Sequence, residues 1–112
     1  MALSAAAQRN LDTVLELLAA GDAYGAQQKI RTSAARLLST RNGPAVTTYD
    51  AKAQDAAGLL FEGARKLLEN GQVGSGVDLA LYLVEVWAAR SVECGAEQRG
   101  QLCVLWRSRS RD

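Results

Sequence analysis

Hydrophobic residues recur three and four positions apart along most of this chain, which is the spacing of one face of an α-helix. The first such stretch covers residues 4–20, where the apolar face consists of Leu11, Val14, Leu15 and Leu18. The second covers residues 22–39, with an apolar stripe of Ala23, Ala26, Ile30, Leu37 and Leu38. The two stretches are nearly contiguous, so we expect an antiparallel helical hairpin.

A second pair of helices follows residue 48. The third helix is predicted over residues 49–70, with inward-facing Ala53, Ala57, Leu60, Ala64, Leu67 and Leu68. The fourth is predicted over residues 76–91 and is apolar on nearly every side. Its polar side chains form one narrow stripe of Asp78, Tyr82 and Glu85. A helix that is apolar on nearly every side is normally enclosed by neighbouring helices. The three other predicted helices are too few to enclose it, so we expect part of its apolar surface to be uncovered.

Turn residues separate these helices. Gly21 is predicted to end the first helix in a left-handed conformation, and Asp22 to cap the second. A loop is predicted over residues 40–48, which contain the only proline. A short turn is predicted over residues 72–76, with Ser75 and Asp78 spaced as a capping box.

A short motif repeats along the chain. Leu17-Leu18-x-x-Gly21 recurs 50 positions later as Leu67-Leu68-x-x-Gly71, which indicates two helical hairpins in tandem. Tandem hairpins build α-solenoids, although this repeat alone fits a four-helix bundle equally well. The 20 Ala and 16 Leu against 8 Val and 1 Ile favour an all-α fold.

The last part of the chain differs in character. Residues 99–112 carry four arginines and one aspartate, and their apolar residues have no evident partner. We therefore divide the chain into a two-hairpin unit, residues 1–92, and a divergent basic tail, residues 93–112. The tail is expected to be a frayed terminus, or the product of a truncated or misassembled gene model, rather than another helix. Attraction to RNA or an acidic partner is the alternative.

Composition narrows the chemistry. The chain has no histidine, two cysteines and a formal net charge of +1. The missing histidine excludes Ser-His-Asp catalysis and His-ligated zinc, and the charge argues against nucleic-acid binding. No secretory signal is evident, and the longest apolar-rich stretch is shorter than the roughly 20 residues that span a bilayer. A cytosolic interaction module without enzymatic activity, cofactor, metal or membrane insertion is expected.

Three segments resemble a known family. Residues 23–32 (AYGAQQKIRT) are similar to "YEAHQxxRT", residues 59–64 (LLFEGA) to "LLYSGA", and residues 71–87 (GQVGSGVDLALYLVEVW) to "GQxGSGxDLALLLVEVY". The three quoted patterns belong to the Golgi-to-ER traffic protein four family, which this chain resembles over about residues 11–89. Two departures are Gln27, where the family has His, and the apparent insertion at residues 40–48.

The resemblance implies a TPR-like α-solenoid fragment that serves as a non-enzymatic scaffold in delivering tail-anchored membrane proteins to the ER. The family's N-terminal helices dock a targeting ATPase, and its C-terminal half binds a ubiquitin-like partner whose site is expected to be absent here. On this basis the candidate ATPase-docking residues are Arg9, Lys29, Arg31, Arg36, Asp78, Tyr82 and Glu85.

Other interpretations of these residues stay open. Each charged residue fits an ordinary solvated helix face, and Asp78 fits a first-turn acid favoured by the helix dipole. The chain could also be a TPR-like peptide-binding module, with Tyr24 and Lys29 as contacts on a concave face. A small Asp/Glu enzyme is the least favoured alternative.

Overall fold

Five helices make up the described parts of the chain. The computed structural model describes residues 5–38, 51–89 and 95–109. The helices are α1 (Ala5–Ala19), α2 (Ala23–Leu38), α3 (Ala51–Glu69), α4 (Val73–Ala89) and α5 (Ala96–Arg109). No strand occurs in these ranges, so the predicted all-α fold is confirmed. The predicted loop at 40–48 lies outside the described residues.

The two repeated glycine motifs form the same hairpin turn. Gly21 and Gly71 have positive φ values of 85° and 80°. After α1, the amide of Gly21 donates to the carbonyl of Leu18 at 3.0 Å, and that of Asp22 to Leu17 at 2.9 Å. After α3, Gly71 and Gln72 make the equivalent bonds to Leu68 and Leu67, at 3.1 and 2.8 Å. These bonds satisfy the last carbonyls of each helix and reverse the chain.

The first turn of α2 is capped as predicted. Oδ1 of Asp22 accepts a hydrogen bond from the amide of Gly25 at 2.9 Å. That amide is one of the four that have no partner within the helix, and an aspartate at this position satisfies it.

The core is organised around α3, which packs against α1, α2, α4 and α5. All six residues predicted to face inward from α3 are buried, together with Ala56 and Leu59. A face this wide is needed because neighbours cover α3 on several sides. Helices two apart in the chain also touch, α1 on α3, α2 on α4 and α3 on α5. The arrangement is therefore one of stacked hairpins; its description as TPR-like stays a prediction.

The start of α4 differs from the prediction. The helix begins at Val73 rather than Gly76, because the turn centred on Gly71 already completes the reversal. Gly74 and Gly76 are helical residues, and the proposed capping box of Ser75 and Asp78 is wrong. Gly76 is buried against α3, where an added Cβ would lie 2.6 Å from Cγ of Leu68. That glycine permits close helix packing rather than a turn.

The expectation of a frayed terminus is wrong for residues 96–109, which form α5 and pack on α3. Leu105 is only 4% exposed and belongs to the core, and Leu102 packs against it. At the start of the helix, Oε1 of Gln98 accepts a hydrogen bond from the amide of Gly95 at 3.2 Å. The sequence interpretation failed because it found no partner for the apolar residues of this segment, and that partner is α3, which is distant in sequence.

One flank of α4 is uncovered among the described residues. Its exposed apolar side chains are Val73, Val77, Leu81 and Val84. Leu81 has 60% of its surface exposed, as the sequence prediction of an incompletely covered helix requires. No described helix is both long and apolar enough to cross a membrane.

We expect this chain to self-associate through the uncovered flank of α4, since large exposed apolar patches mark association sites. Light scattering over a concentration series should show association that Leu81→Glu reduces. Tyr24→Glu changes an even more exposed side chain, on α2, and should leave association unchanged. A wild-type chain that remains monomeric across the series would contradict the prediction.

Candidate functional site

A polar cluster joins α2 to α4 near the surface. Nε2 of Gln27 donates a hydrogen bond to Oδ2 of Asp78 at 2.7 Å. Nη1 of Arg31 donates to the same oxygen at 2.8 Å, which also makes an ion pair. The side chains of Arg31 and Asp78 are 40% and 41% exposed. The protein therefore shields this ion pair from water only in part.

Tyr82 completes this cluster. Cζ of Arg31 lies 5.0 Å from the centre of the Tyr82 ring, within the range of a cation–π interaction. The guanidinium is thus held by a carboxylate and an aromatic face. We call Gln27, Arg31, Asp78 and Tyr82 the interhelix bridge.

Helical spacing on both elements creates the interhelix bridge. Gln27 and Arg31 are four residues apart on α2, and Asp78 and Tyr82 are four apart on α4. Residues at this spacing lie one above the other on the same helix face. Since α2 and α4 pack side by side, the two pairs meet.

The position of Asp78 within α4 changes its interpretation. It is the sixth residue of the helix, beyond the first turn where the helix dipole favours an acid. The dipole interpretation is therefore wrong for this residue. Its partners on α2 explain the placement instead.

The remaining predicted site residues lie apart from the interhelix bridge. Glu85 is exposed on the same stripe of α4, seven residues after Asp78. Lys29 lies about 200° around α2 from Arg31, on another side of the helix. Arg36 shares that side with Lys29, seven residues on, and Arg9 is exposed on α1. The structure thus brings together three of the seven predicted residues.

Gln27 was missed as a site residue. It counted only as a departure from the family pattern, yet it makes the shortest contact to Asp78. Its four-residue spacing from Arg31 was the available signal. The partner helix that gives the spacing its meaning is about fifty residues away in sequence.

A second charged group lies on α3. Arg65 pairs with Glu62 at 2.7 Å and with Glu69 at 3.9 Å. The hydrogen bond that Arg65 donates to Glu62 raises the pKa of the Arg65 guanidinium above its usual value, against the opposing effect of partial burial. Both carboxylates therefore pair with Arg65 within one helix.

The peptide-binding alternative receives little support from the geometry. Tyr24 is exposed and Lys29 half-buried, but five residues separate them, which is about 140° around α2. A shallow recess of about 340 Å³ lies at the ends of α1 and α3, lined by Leu15, Leu18, Ala19, Lys66, Glu69 and Asn70. It includes neither proposed peptide contact. Across the described ranges, no group of three or more Cys, Asp or Glu side chains is placed to hold a metal ion.

These features define an all-α protein built from stacked antiparallel hairpins, with a half-exposed polar cluster joining successive hairpins. The model of one family, Golgi to ER traffic protein 4, matches residues 50–111, more than half of the chain. The chain belongs to this family. The match extends through α5, so that helix is part of the family region.

A curated relative agrees with this assignment. The chain is 30% identical over 84 residues to Golgi to ER traffic protein 4 of Schizosaccharomyces pombe. The match covers 75% of this chain and 24% of the relative, so the chain spans about a quarter of that protein's length. No solved structure matches the chain.

Proposed function

We propose that this chain acts in Golgi-to-ER traffic as a non-enzymatic adaptor in the cytosol. In this role it docks the targeting ATPase that delivers tail-anchored membrane proteins. The observation that carries the proposal is the family match over α3, α4 and α5. The matched region includes Asp78, Tyr82 and Glu85, the acidic and aromatic stripe of α4.

The cationic side of α2 supports a docking role. Lys29 and Arg36 lie seven residues apart, and neither has an ion-pair partner within the described ranges. Arg36 is exposed and Lys29 half-buried, and charges near the surface steer association and set the orientation of a complex more than they add affinity. In our proposal they meet acidic groups of the ATPase, while the α4 stripe makes a second contact.

We expect saturable binding of the chain to the nucleotide-loaded targeting ATPase in a calorimetric titration. Lys29→Glu/Arg36→Glu should weaken binding at least about tenfold, which is about 1.4 kcal/mol, because two attractive contacts become repulsive. Lys52→Glu/Arg99→Glu is the matched control, since it changes net charge equally at exposed positions on α3 and α5.

The control separates a specific surface from a general charge effect. Equal weakening by both double variants would mean that only net charge matters and would remove Lys29 and Arg36 from the site. Absence of binding by a folded wild-type chain would contradict the proposed function.

A further inference from the structure

The carboxylate of Asp78 already accepts hydrogen bonds from side chains of the same protein. Gln27 and Arg31 both donate to Oδ2, and Oδ1 accepts no hydrogen bond from any described residue. The Asp78 side chain is 41% exposed. A group from outside can therefore reach Asp78, but it meets a carboxylate whose charge Arg31 already balances.

We infer that Arg31 is an intramolecular competitor for Asp78, which weakens docking of a partner's cationic group on that carboxylate. This inference rests on the proposed function, because it concerns the α4 stripe as a docking surface. It gives Arg31 a role opposite to that of a direct docking cation. The chemistry that fits Oδ1 is a lysine ammonium, an arginine guanidinium or another strong N–H donor.

Electrostatics sets the direction of the effect. A cation placed at Oδ1 lies only a few ångströms farther from the Arg31 guanidinium than from the carboxylate. In a half-exposed site, attraction by one and repulsion by the other are of similar size. Removal of the guanidinium leaves the attraction unopposed, so the partner should bind more tightly.

The other residues of the interhelix bridge should hold Asp78 in place when Arg31 is replaced. Gln27 donates to Oδ2 independently of Arg31, so the carboxylate keeps one of its two anchors when Arg31 is replaced. Tyr82 holds the guanidinium over its ring, which keeps the competitor beside Asp78 rather than free to swing away. The loss of Arg31 therefore changes the charge at the site more than its shape.

The experiment is a double-mutant cycle on ATPase binding, with wild type, Arg31→Gln, Asp78→Asn and the double variant titrated at low salt. Arg31→Gln should tighten binding about fivefold, which is about 1 kcal/mol. This gain in affinity should vanish in the Asp78→Asn background, because no carboxylate is left there to attract the partner's cationic group. It should also shrink as salt is raised, since partly exposed charges are screened.

Arg99→Gln is the control, because it removes one exposed arginine from α5. Thermal unfolding confirms that each variant is folded. Weaker binding by Arg31→Gln, an equal gain in the Asp78→Asn background, or an equal gain in Arg99→Gln would each overturn the inference. Failure of the proposed function looks different, because neither wild type nor Arg31→Gln would then bind, and the inference would fall with it.

Discussion

Replacement of Leu105 by alanine is expected to lower the free energy of unfolding by about 2–5 kcal/mol, the range for a leucine truncated to alanine in a packed core. Leu105 is 4% exposed and belongs to the same core as the leucines of α3. Truncation would leave a cavity at the α3–α5 contact as well as removing apolar area from burial. Chemical denaturation, followed by circular dichroism, measures the loss.

Cys103 provides the comparison within the same helix. Its side chain is exposed and makes no disulfide, so Cys103→Ala should change stability by less than about 0.5 kcal/mol. Both variants place alanine, the best helix former, in α5, so a loss of helix propensity explains neither result. If Leu105→Ala is as harmless as Cys103→Ala, α5 does not pack on α3 in solution and the basic segment is a frayed terminus after all.

Local sequence signals were sufficient for the hairpin turns. Gly21 has a conformation that other residues rarely adopt, and Asp22 caps the helix that follows. Both effects arise within a few residues of chain and need no knowledge of the rest of the fold. The repeat at Gly71 was predictable for the same reason.

Glycines in α4 show where local reasoning fails. Gly74 and Gly76 look like turn residues in the sequence, and the predicted start of the helix followed from that. Gly76 is instead required by Leu68 on the neighbouring helix. A glycine chosen for a turn and one chosen for close packing are identical in sequence, and only the position of α3 distinguishes them.

The candidate site shows the same division. The family resemblance identified Arg31, Asp78 and Tyr82, but not that they contact one another. Arg31 and Asp78 are 47 positions apart, and their meeting depends on how the second hairpin packs on the first. Helical spacing predicts which residues share a face, whereas the pairing of faces needs the packed structure.

The packing role of Gly76 predicts a large effect from the addition of a single methyl group. Gly76→Ala is expected to lower the free energy of unfolding by about 1–3 kcal/mol, as overpacking of a close core contact does. The new Cβ would lie 2.6 and 2.7 Å from Cγ and Cδ2 of Leu68 and 3.3 Å from the carbonyl oxygen of Ala64. Since Cγ is the branch point of the leucine and the carbonyl belongs to the backbone, neither neighbour gives way easily.

Gly74→Ala, two residues earlier in the same helix, should have the opposite sign. Nothing lies within 4 Å of a Cβ added there, and alanine is favoured over glycine in a helix by up to about 1 kcal/mol. Thermal unfolding separates the two, because 1 kcal/mol shifts the midpoint by roughly 4–8 °C in a domain of about 100 residues. If both variants are stabilised, α3 and α4 are farther apart than the structure has them. If both are destabilised, the chain reverses through residues 72–76 and α4 begins later.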